Sequence, residues 1–225
     1  MSTVSLGVVG LNYWGPNLAR NFDRLPGCEL TYCCDLDEAV LDRHRASFPS
    51  STFTTRLDDL LSDESLDGVV IATSVPTHAN LACMALEAGK HVFVEKPLAL
   101  TVADAKRVAD LAEDRGLIAM VDHLLVYHPG LGKVKDIIDA GELGGETYYM
   151  YGNRQNLGIV RQDENALWSL GPHDISVMLW FAGERPTEVA AWGSSYLQEG
   201  VEDVVFGHLR FPSGVTGHLH LSWLD

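Results

Sequence analysis

The sequence predicts an α/β chain in two parts, a doubly wound parallel sheet over residues 1–122 and an incomplete α+β domain with a mainly antiparallel sheet over residues 123–225. Three observations predict it. Short apolar runs alternate with amphipathic stretches through the first half, the pattern of a parallel sheet covered by helices on both faces. A glycine turn, Gly10-Leu11-Asn12-Tyr13-Trp14-Gly15, joins the first apolar run to the first helical stretch. In the last forty or so residues apolar runs follow one another without helices between them, which is how antiparallel strands read.

The elements follow in order. Leu6–Val9, Glu29–Cys34, Val69–Ala72, His91–Val94 and Leu117–Val121 are apolar runs of strand length. Between them lie four helical stretches. Pro16–Leu25 follows the glycine turn, Glu38–Phe48 carries charge on one face, and His78–Ala88 stops at Gly89. Thr101–Arg115 repeats apolar residues at Val102, Ala105, Val108, Ala109 and Ala112, with Thr101 as its N-cap and Gly116 closing it. Beyond Asp122 the sequence predicts a helix over Gly130–Ala140 and a strand over Glu146–Arg154, then a glycine- and asparagine-containing loop. A helix over Ile175–Phe181 is stopped by Gly183 and Pro186. Strands at Glu188–Trp192, Val204–Phe211 and Val215–Trp223 complete the chain, the last two joined by a turn at Phe211-Pro212-Ser213-Gly214. The last strand is expected to lie at the edge of its sheet, and the chain reads as a C-terminally truncated fragment.

Composition narrows the function. At 225 residues, 46% hydrophobic and 21% charged, the chain has the make-up of a globular protein. Its 31 acidic against 16 basic residues leave a formal charge of -15, unsuited to nucleic acid or an anionic membrane, where clustered Lys and Arg are needed. An anionic small ligand remains compatible, because backbone amides at a helix N-terminus hold phosphate whatever the total charge. Cys28, Cys33, Cys34 and Cys83 form no CxxC pair and no zinc spacing, so free thiols are expected. No secretory leader precedes the first strand and no run approaches a membrane span, which predicts a cytoplasmic protein.

Two features carry chemistry. The glycine turn stands where a G-x-G-x-x-G dinucleotide fingerprint would stand, with Asn12 in the place of the second glycine; Asn is the non-glycine residue best able to take positive φ. Gly10, Asn12, Tyr13, Trp14 and Gly15 would meet a pyrophosphate. Asp35, at the end of the second strand, either accepts the two ribose hydroxyls of the adenosine half or caps the helix that starts near Glu38. In the first role it would repel a 2′-phosphate, which predicts NAD rather than NADP. The second feature is Glu95-Lys96-Pro97. It closes the strand His91–Val94, and side chains at that end of a parallel sheet face the ligand crevice, so Lys96 is a candidate catalyst and Glu95 a cofactor neighbour. Thr73, Pro76 and His78, after the third strand, are expected to line the same crevice.

The stretch Gly7-Val8-Val9-Gly10 through Trp14-Gly15-Pro16-Asn17, the segment from Ala72-Thr73 to His78, and Glu95-Lys96-Pro97 together resemble the Gfo/Idh/MocA oxidoreductases. Gly152-Asn153-Arg154-Gln155-Asn156-Leu157-Gly158, Leu167-Trp168-Ser169 and Pro172-His173-Asp174-Ile175-Ser176 resemble more narrowly its nucleotide-sugar branch, the UDP-N-acetylglucosamine uronate 3-dehydrogenases. The resemblance implies a Rossmann domain followed by a mostly antiparallel α/β domain, and NAD-dependent oxidation of a nucleotide-linked sugar at its C3′ hydroxyl. It implies Lys96 as the catalytic lysine and His173 as the histidine that works with it. Ser169 stands where the family commonly has an aspartate; Asp174 is the carboxylate next door.

For the substrate, Asn153, Arg154, Asn156, His173 and Asp174 are the candidates beside Lys96, with Arg154 able to hold a carboxylate or diphosphate bidentately. Alternatively Arg154 pairs with Glu142 or Glu146. His208, His218 and His220 share one sheet face, but an oligomer contact is the better reading than a metal site, and no metal is expected. The resemblance implies that this open face meets another subunit of a dimer or tetramer. Two other functions stay open: a nucleotide-deoxysugar 3-ketoreductase, and a non-catalytic NAD-binding sensor or assembly subunit.

Overall fold

The computed structural model describes residues 3–157 and 164–224; Gly158 and the rest of the predicted loop up to residue 163 lie outside the described residues. The chain divides into two compact units, one ending at Asp122 and the other beginning at His123.

The first unit is a six-stranded parallel sheet. Its strands are β1 (Val4–Val9), β2 (Cys28–Cys34), β3 (Thr52–Thr54), β4 (Gly68–Ile71), β5 (His91–Val94) and β6 (Ala119–Val121), in the spatial order β3-β2-β1-β4-β5-β6. Successive strand residues point to opposite faces, so each central strand feeds two cores. Val8 and Val70 pack with Leu18, Ala19 and Leu41 on one side. Val9, Val69 and Ile71 pack with Ala82, Leu86 and Val108 on the other. That is why Gly68–Ile71 reads as an unbroken apolar run: all four residues are buried.

The helices are α1 (Gly15–Arg24), α2 (Glu38–His44), α3 (Leu57–Leu61), α4 (Val75–Glu87) and α5 (Val102–Arg115). Thr101 caps α5 as predicted, accepting the Asp104 N–H at 3.0 Å. Three differences from the expected elements have physical reasons. β3 and α3 were not foreseen, because three and five residues are too few to show a period. Helix α2 stops at His44, and the chain turns so that Phe48 enters the core. Helix α4 begins three residues before His78, with Pro76 in its first turn, where a missing N–H costs nothing.

The second unit contains a 3-10 turn (Leu124–Tyr127), α6 (Pro129–Asp139), β7 (Tyr149–Gln155), α7 (Ala166–Ala182), β8 (Glu188–Ser194), β9 (Val204–Arg210) and β10 (Thr216–Ser222). The sheet runs β7-β10-β9-β8, antiparallel except for the parallel β7–β10 pair. The final strand β10 is therefore interior, not an edge as expected. Its two flanks, β7 and β9, both bond it along seven residues. Helix α7 covers one face, packing Met178 with Leu209, Leu219 and Leu221.

The larger correction concerns α7, which starts at Ala166 and runs straight through Pro172. A proline inside a helix removes one backbone bond and typically costs about 3 kcal/mol. Here packing outweighs it: Asn165 caps the start by accepting the Trp168 N–H, and Ala166 and Gly171 are buried against the sheet. A Cβ at Gly171 would lie 2.9 Å from Leu167 Cδ1 and 3.3 Å from Leu221 Cδ1, so the first turns of α7 approach β10 too closely for any larger residue.

Candidate active site

In a doubly wound sheet the ligand crevice opens at the carboxyl ends of the strands where the order reverses, here between β1 and β4. Gly10 follows β1 with φ +91°, and a Cβ on it would stand 2.7 Å from the Ala72 carbonyl oxygen at the end of β4. At Gly15 a Cβ would stand 1.7 Å from the Gly10 oxygen. Neither site admits a side chain. Asn12 does not use the left-handed conformation expected of it, since no non-glycine residue among those described has positive φ. Gly10 makes the reversal instead, leaving Asn12, Tyr13 and Trp14 exposed. Trp14, at the N-cap of α1, makes no side-chain cap bond, and the first turn holds no acidic residue. The amides there fit a pyrophosphate, whose charge the helix N-terminus favours.

Asp35 is tied to this turn. Its Oδ2 accepts the N–H of Leu11 at 2.7 Å and its Oδ1 accepts the N–H of Asp37 at 3.1 Å. The alternative of Asp35 as helix cap is overturned: Asp37 caps α2, accepting the Ala39 N–H at 2.9 Å.

Of the three residues expected after β4, Thr73 is half-buried and Pro76 exposed, but His78 is 1% exposed and cannot line an open crevice. Its ring stands between two carbonyls, with Nδ1 2.9 Å from Pro97 O and Nε2 3.0 Å from Thr73 O. It thereby joins the loop after β4 to the turn after β5. Within that turn Lys96 is half-buried, and its backbone N–H donates to Glu95 Oε2 at 3.2 Å. Glu95 is buried beside Asp122, the residue directly after β6. Asp122 was missed in the sequence. The signal was present, for it follows its strand as Asp35 and Glu95 follow theirs.

In the second unit Arg154 and Asp174 form an ion pair. Arg154 Nε donates to Asp174 Oδ2, and Nη2 lies 3.4 Å from Oδ1. The expected alternative of Glu142 or Glu146 as partner is overturned: Asp174 is brought to β7 by α7, which sequence reading began too late. The pair lines a cleft of about 170 Å³ with Met150, Gly152, Val177 and Phe181. Asn153 is on the opposite face of β7, because neighbouring strand residues alternate. It is exposed, in register with His220. Asn153 and Arg154 therefore do not share a site. Asn156 follows β7, exposed, its N–H donating to Ser222 O at 3.0 Å. His173 is half-buried on α7, one residue after Pro172, and its carbonyl accepts the Ser176 hydroxyl at 2.9 Å. On the open face the imidazoles stack on aromatic rings, His218 on Tyr151 at 5.6 Å and His220 on Phe206 at 4.6 Å.

A doubly wound sheet with a glycine turn at its switch point and an acidic residue after β2 defines a dinucleotide-binding protein. The chain belongs to the GFO/IDH/MocA family: residues 4–123 match "Oxidoreductase family, NAD-binding Rossmann fold" and residues 131–225 match "GFO/IDH/MocA C-terminal domain". An uncharacterized oxidoreductase of Streptococcus pneumoniae is 28% identical over 228 residues, 93% of this chain and 60% of its own length. Inositol 2-dehydrogenase of Salmonella typhimurium is 31% identical over 190 residues, 81% of this chain and 55% of its own. The crystal structure of GenD2 from gentamicin A biosynthesis, in complex with NAD, superposes with TM-score 0.94 at 26% identity, over 100% of this chain and 67% of that one. The chain thus spans little more than half the length of these curated relatives. Among the described residues no helix is long and apolar enough to cross a membrane.

Proposed function

We propose that this chain is the cofactor-binding and substrate-recognising part of an NAD-dependent dehydrogenase that oxidises a CH–OH group of a sugar or polyol. The observation that carries the reading is Lys96 at the carboxyl end of β5, beside the switch point where the glycine turn and Asp35 prepare a dinucleotide site. Relatives that act on inositol support a polyhydroxylated substrate.

Bound NAD supplies the hydride acceptor. Gly10 and Gly15 keep the turn tight, the amides of Asn12, Tyr13 and Trp14 hold the diphosphate, and Asp35 accepts the adenosine ribose hydroxyls. Thr73 and Pro76 would line the cofactor crevice, with Glu95 buried behind Lys96. His173 takes the hydroxyl proton, as an imidazole can near neutrality. The Lys96 ammonium donates a hydrogen bond to the substrate oxygen as it becomes a carbonyl oxygen. The second unit contributes substrate contacts from Arg154, Asn156 and Asp174, and its open aromatic face meets another copy of the chain.

The narrower substrate is a nucleotide-linked sugar oxidised at its C3′ hydroxyl. It needs a cation for the diphosphate, and Arg154 would have to share its guanidinium between that group and Asp174.

Calorimetric titration with NAD and NADP, followed by assay of NADH formation with inositols, free sugars and UDP-sugars, tests both levels. The reading expects NAD to bind more tightly than NADP, and Lys96→Ala and His173→Ala proteins to bind NAD and lose turnover. Tighter NADP binding, or near-full turnover in either variant, overturns it. Competition by UDP against the oxidised sugar separates the nucleotide-linked substrate from a free polyol.

A further inference from the structure

Glu95 and Asp122 are the first residues past the ends of two neighbouring strands, β5 and β6, whose last residues Val94 and Val121 are partners in the ladder. Main-chain bonds fix both: Glu95 N–H donates to Ile71 O and Asp122 N–H donates to Val94 O, each at 2.9 Å. Each residue is 8% exposed. At equivalent positions just past neighbouring parallel strands, the two side chains leave the same face of the sheet. Glu95 Oε2 has the Lys96 N–H, whereas Oε1 is buried with no donor. Two carboxylates cannot bond to each other without a proton, because an ionised carboxylate only accepts. Two like charges in one buried site also oppose joint ionisation.

We propose that Glu95 and Asp122 hold one proton between them and present a single negative charge to Lys96, acting as positioning residues that keep its ammonium charged and in place. The shared proton supplies the hydrogen bond that the buried Glu95 carboxyl otherwise lacks. It also limits the charge beside Lys96 to one. A doubly ionised pair would draw the ammonium away from the substrate oxygen it bonds, and an uncharged pair would leave that ammonium without a counter-charge in its half-buried turn. The charged groups facing Glu95 are Asp122, from the end of β6, and Lys96 on its own turn. Burial first, then the hydrogen bond and the charge of Asp122, push the Glu95 carboxyl up to about 8, with Lys96 pulling the other way.

The consequence for Lys96 rests on the functional reading above, but the shared proton does not, so the test is made without substrate. In protein labelled with ¹³C at the glutamate side-chain carboxyls, one resonance should titrate with a midpoint near pH 8, absent from Glu95→Gln. In Asp122→Asn that midpoint should fall toward the ordinary carboxylate range. A Glu95 midpoint already in the ordinary range overturns the pair; so does one that Asp122→Asn leaves unmoved, which would mean burial alone raises it. For Lys96, amine acylation followed by mass spectrometry across pH gives its protonation midpoint. The Glu95→Gln/Asp122→Asn double variant should lower that midpoint by about one unit, the scale of losing one nearby opposite charge. An unmoved Lys96 midpoint overturns the positioning role. If Glu95→Gln does not fold, wild type and Asp122→Asn still decide the first point. A titrating pair in a protein that oxidises no alcohol would overturn the dehydrogenase reading and leave the pair standing.

Discussion

Asp35 holds the N–H of Leu11, so the carboxylate proposed to select the cofactor also closes the turn proposed to hold its phosphates. Leu11 is fully buried, and losing that acceptor leaves its amide without a partner. An orphaned buried donor costs about 1–3 kcal/mol. Asp35→Ala should therefore lower the thermal midpoint of the cofactor-free protein as well as weaken NAD binding. Asp35→Asn retains an acceptor for Leu11 and should recover most of the stability while losing NAD-over-NADP preference. Thermal unfolding with and without each cofactor separates the two effects.

Gly15→Ala tests the close approach of α1 to its own turn. Its Cβ would meet the Gly10 oxygen at 1.7 Å, so the turn must open and its amides lose alignment. We expect NAD affinity to fall at least tenfold, equivalent to about 1.4 kcal/mol, by calorimetric titration. Gly27→Ala is a control for glycine loss as such, since nothing lies within 4 Å of its added Cβ, although its φ of +84° carries backbone strain.

His78 acts from behind the site. Its two ring nitrogens face the carbonyls of Pro97 and Thr73, and the ring fills the space between the two loops. His78→Ala should cost about 1–3 kcal/mol, the scale of an unsatisfied buried group. Because the Pro97 carbonyl adjoins Lys96, turnover should fall by more than NAD affinity does. Stability by denaturant unfolding and the split between kcat and NAD dissociation constant check the two parts.

Arg154→Ala leaves the Asp174 carboxylate, whose side chain is 15% exposed, without its guanidinium. Breaking a fully buried pair costs about 3–5 kcal/mol and an exposed one under about 1, so this half-buried pair should fall between, at about 1–2 kcal/mol. If Arg154 also contacts substrate, Arg154→Lys should raise KM with kcat little changed. Equal KM in both proteins would confine Arg154 to a structural role.

Stability should depend on pH through Glu95. Its carboxyl is raised from an ordinary value of 4.5 to about 8 in the folded state, so between these values the folded protein holds a proton that the unfolded chain releases. Stability from this group is present in full below 4.5 and is lost as pH rises to about 8, beyond which the loss levels off. Glu95→Gln, which mimics the protonated form, should match wild type at low pH and exceed it increasingly up to that point. Parallel melting curves across pH read the difference directly.

Much of the first unit was legible before any coordinates. His91–Val94 and the Thr101 cap of α5 appear as read, because Val92-Phe93-Val94 is a short run of β-branched and aromatic residues and a threonine three residues before an aspartate is a local capping arrangement. The short β3 and α3 were not legible, since neither is long enough to show a period. Helix α7 was misread at Pro172 because proline's local penalty is visible in the sequence and the packing of Gly171 on Leu221 is not.

The site divides in the same way. The sequence by itself determined the glycine turn, the acidic residue after β2 and the lysine after β5, because each depends on local backbone geometry or on position at a strand end. Only the tertiary structure decided the partners: Asp35 with Leu11, His78 between Thr73 and Pro97, Arg154 with Asp174, and Glu95 with Asp122. Hydrogen bonds and charge interactions act over a few ångströms of space, whatever the separation along the chain, and it is the order of strands in the sheets that sets those distances.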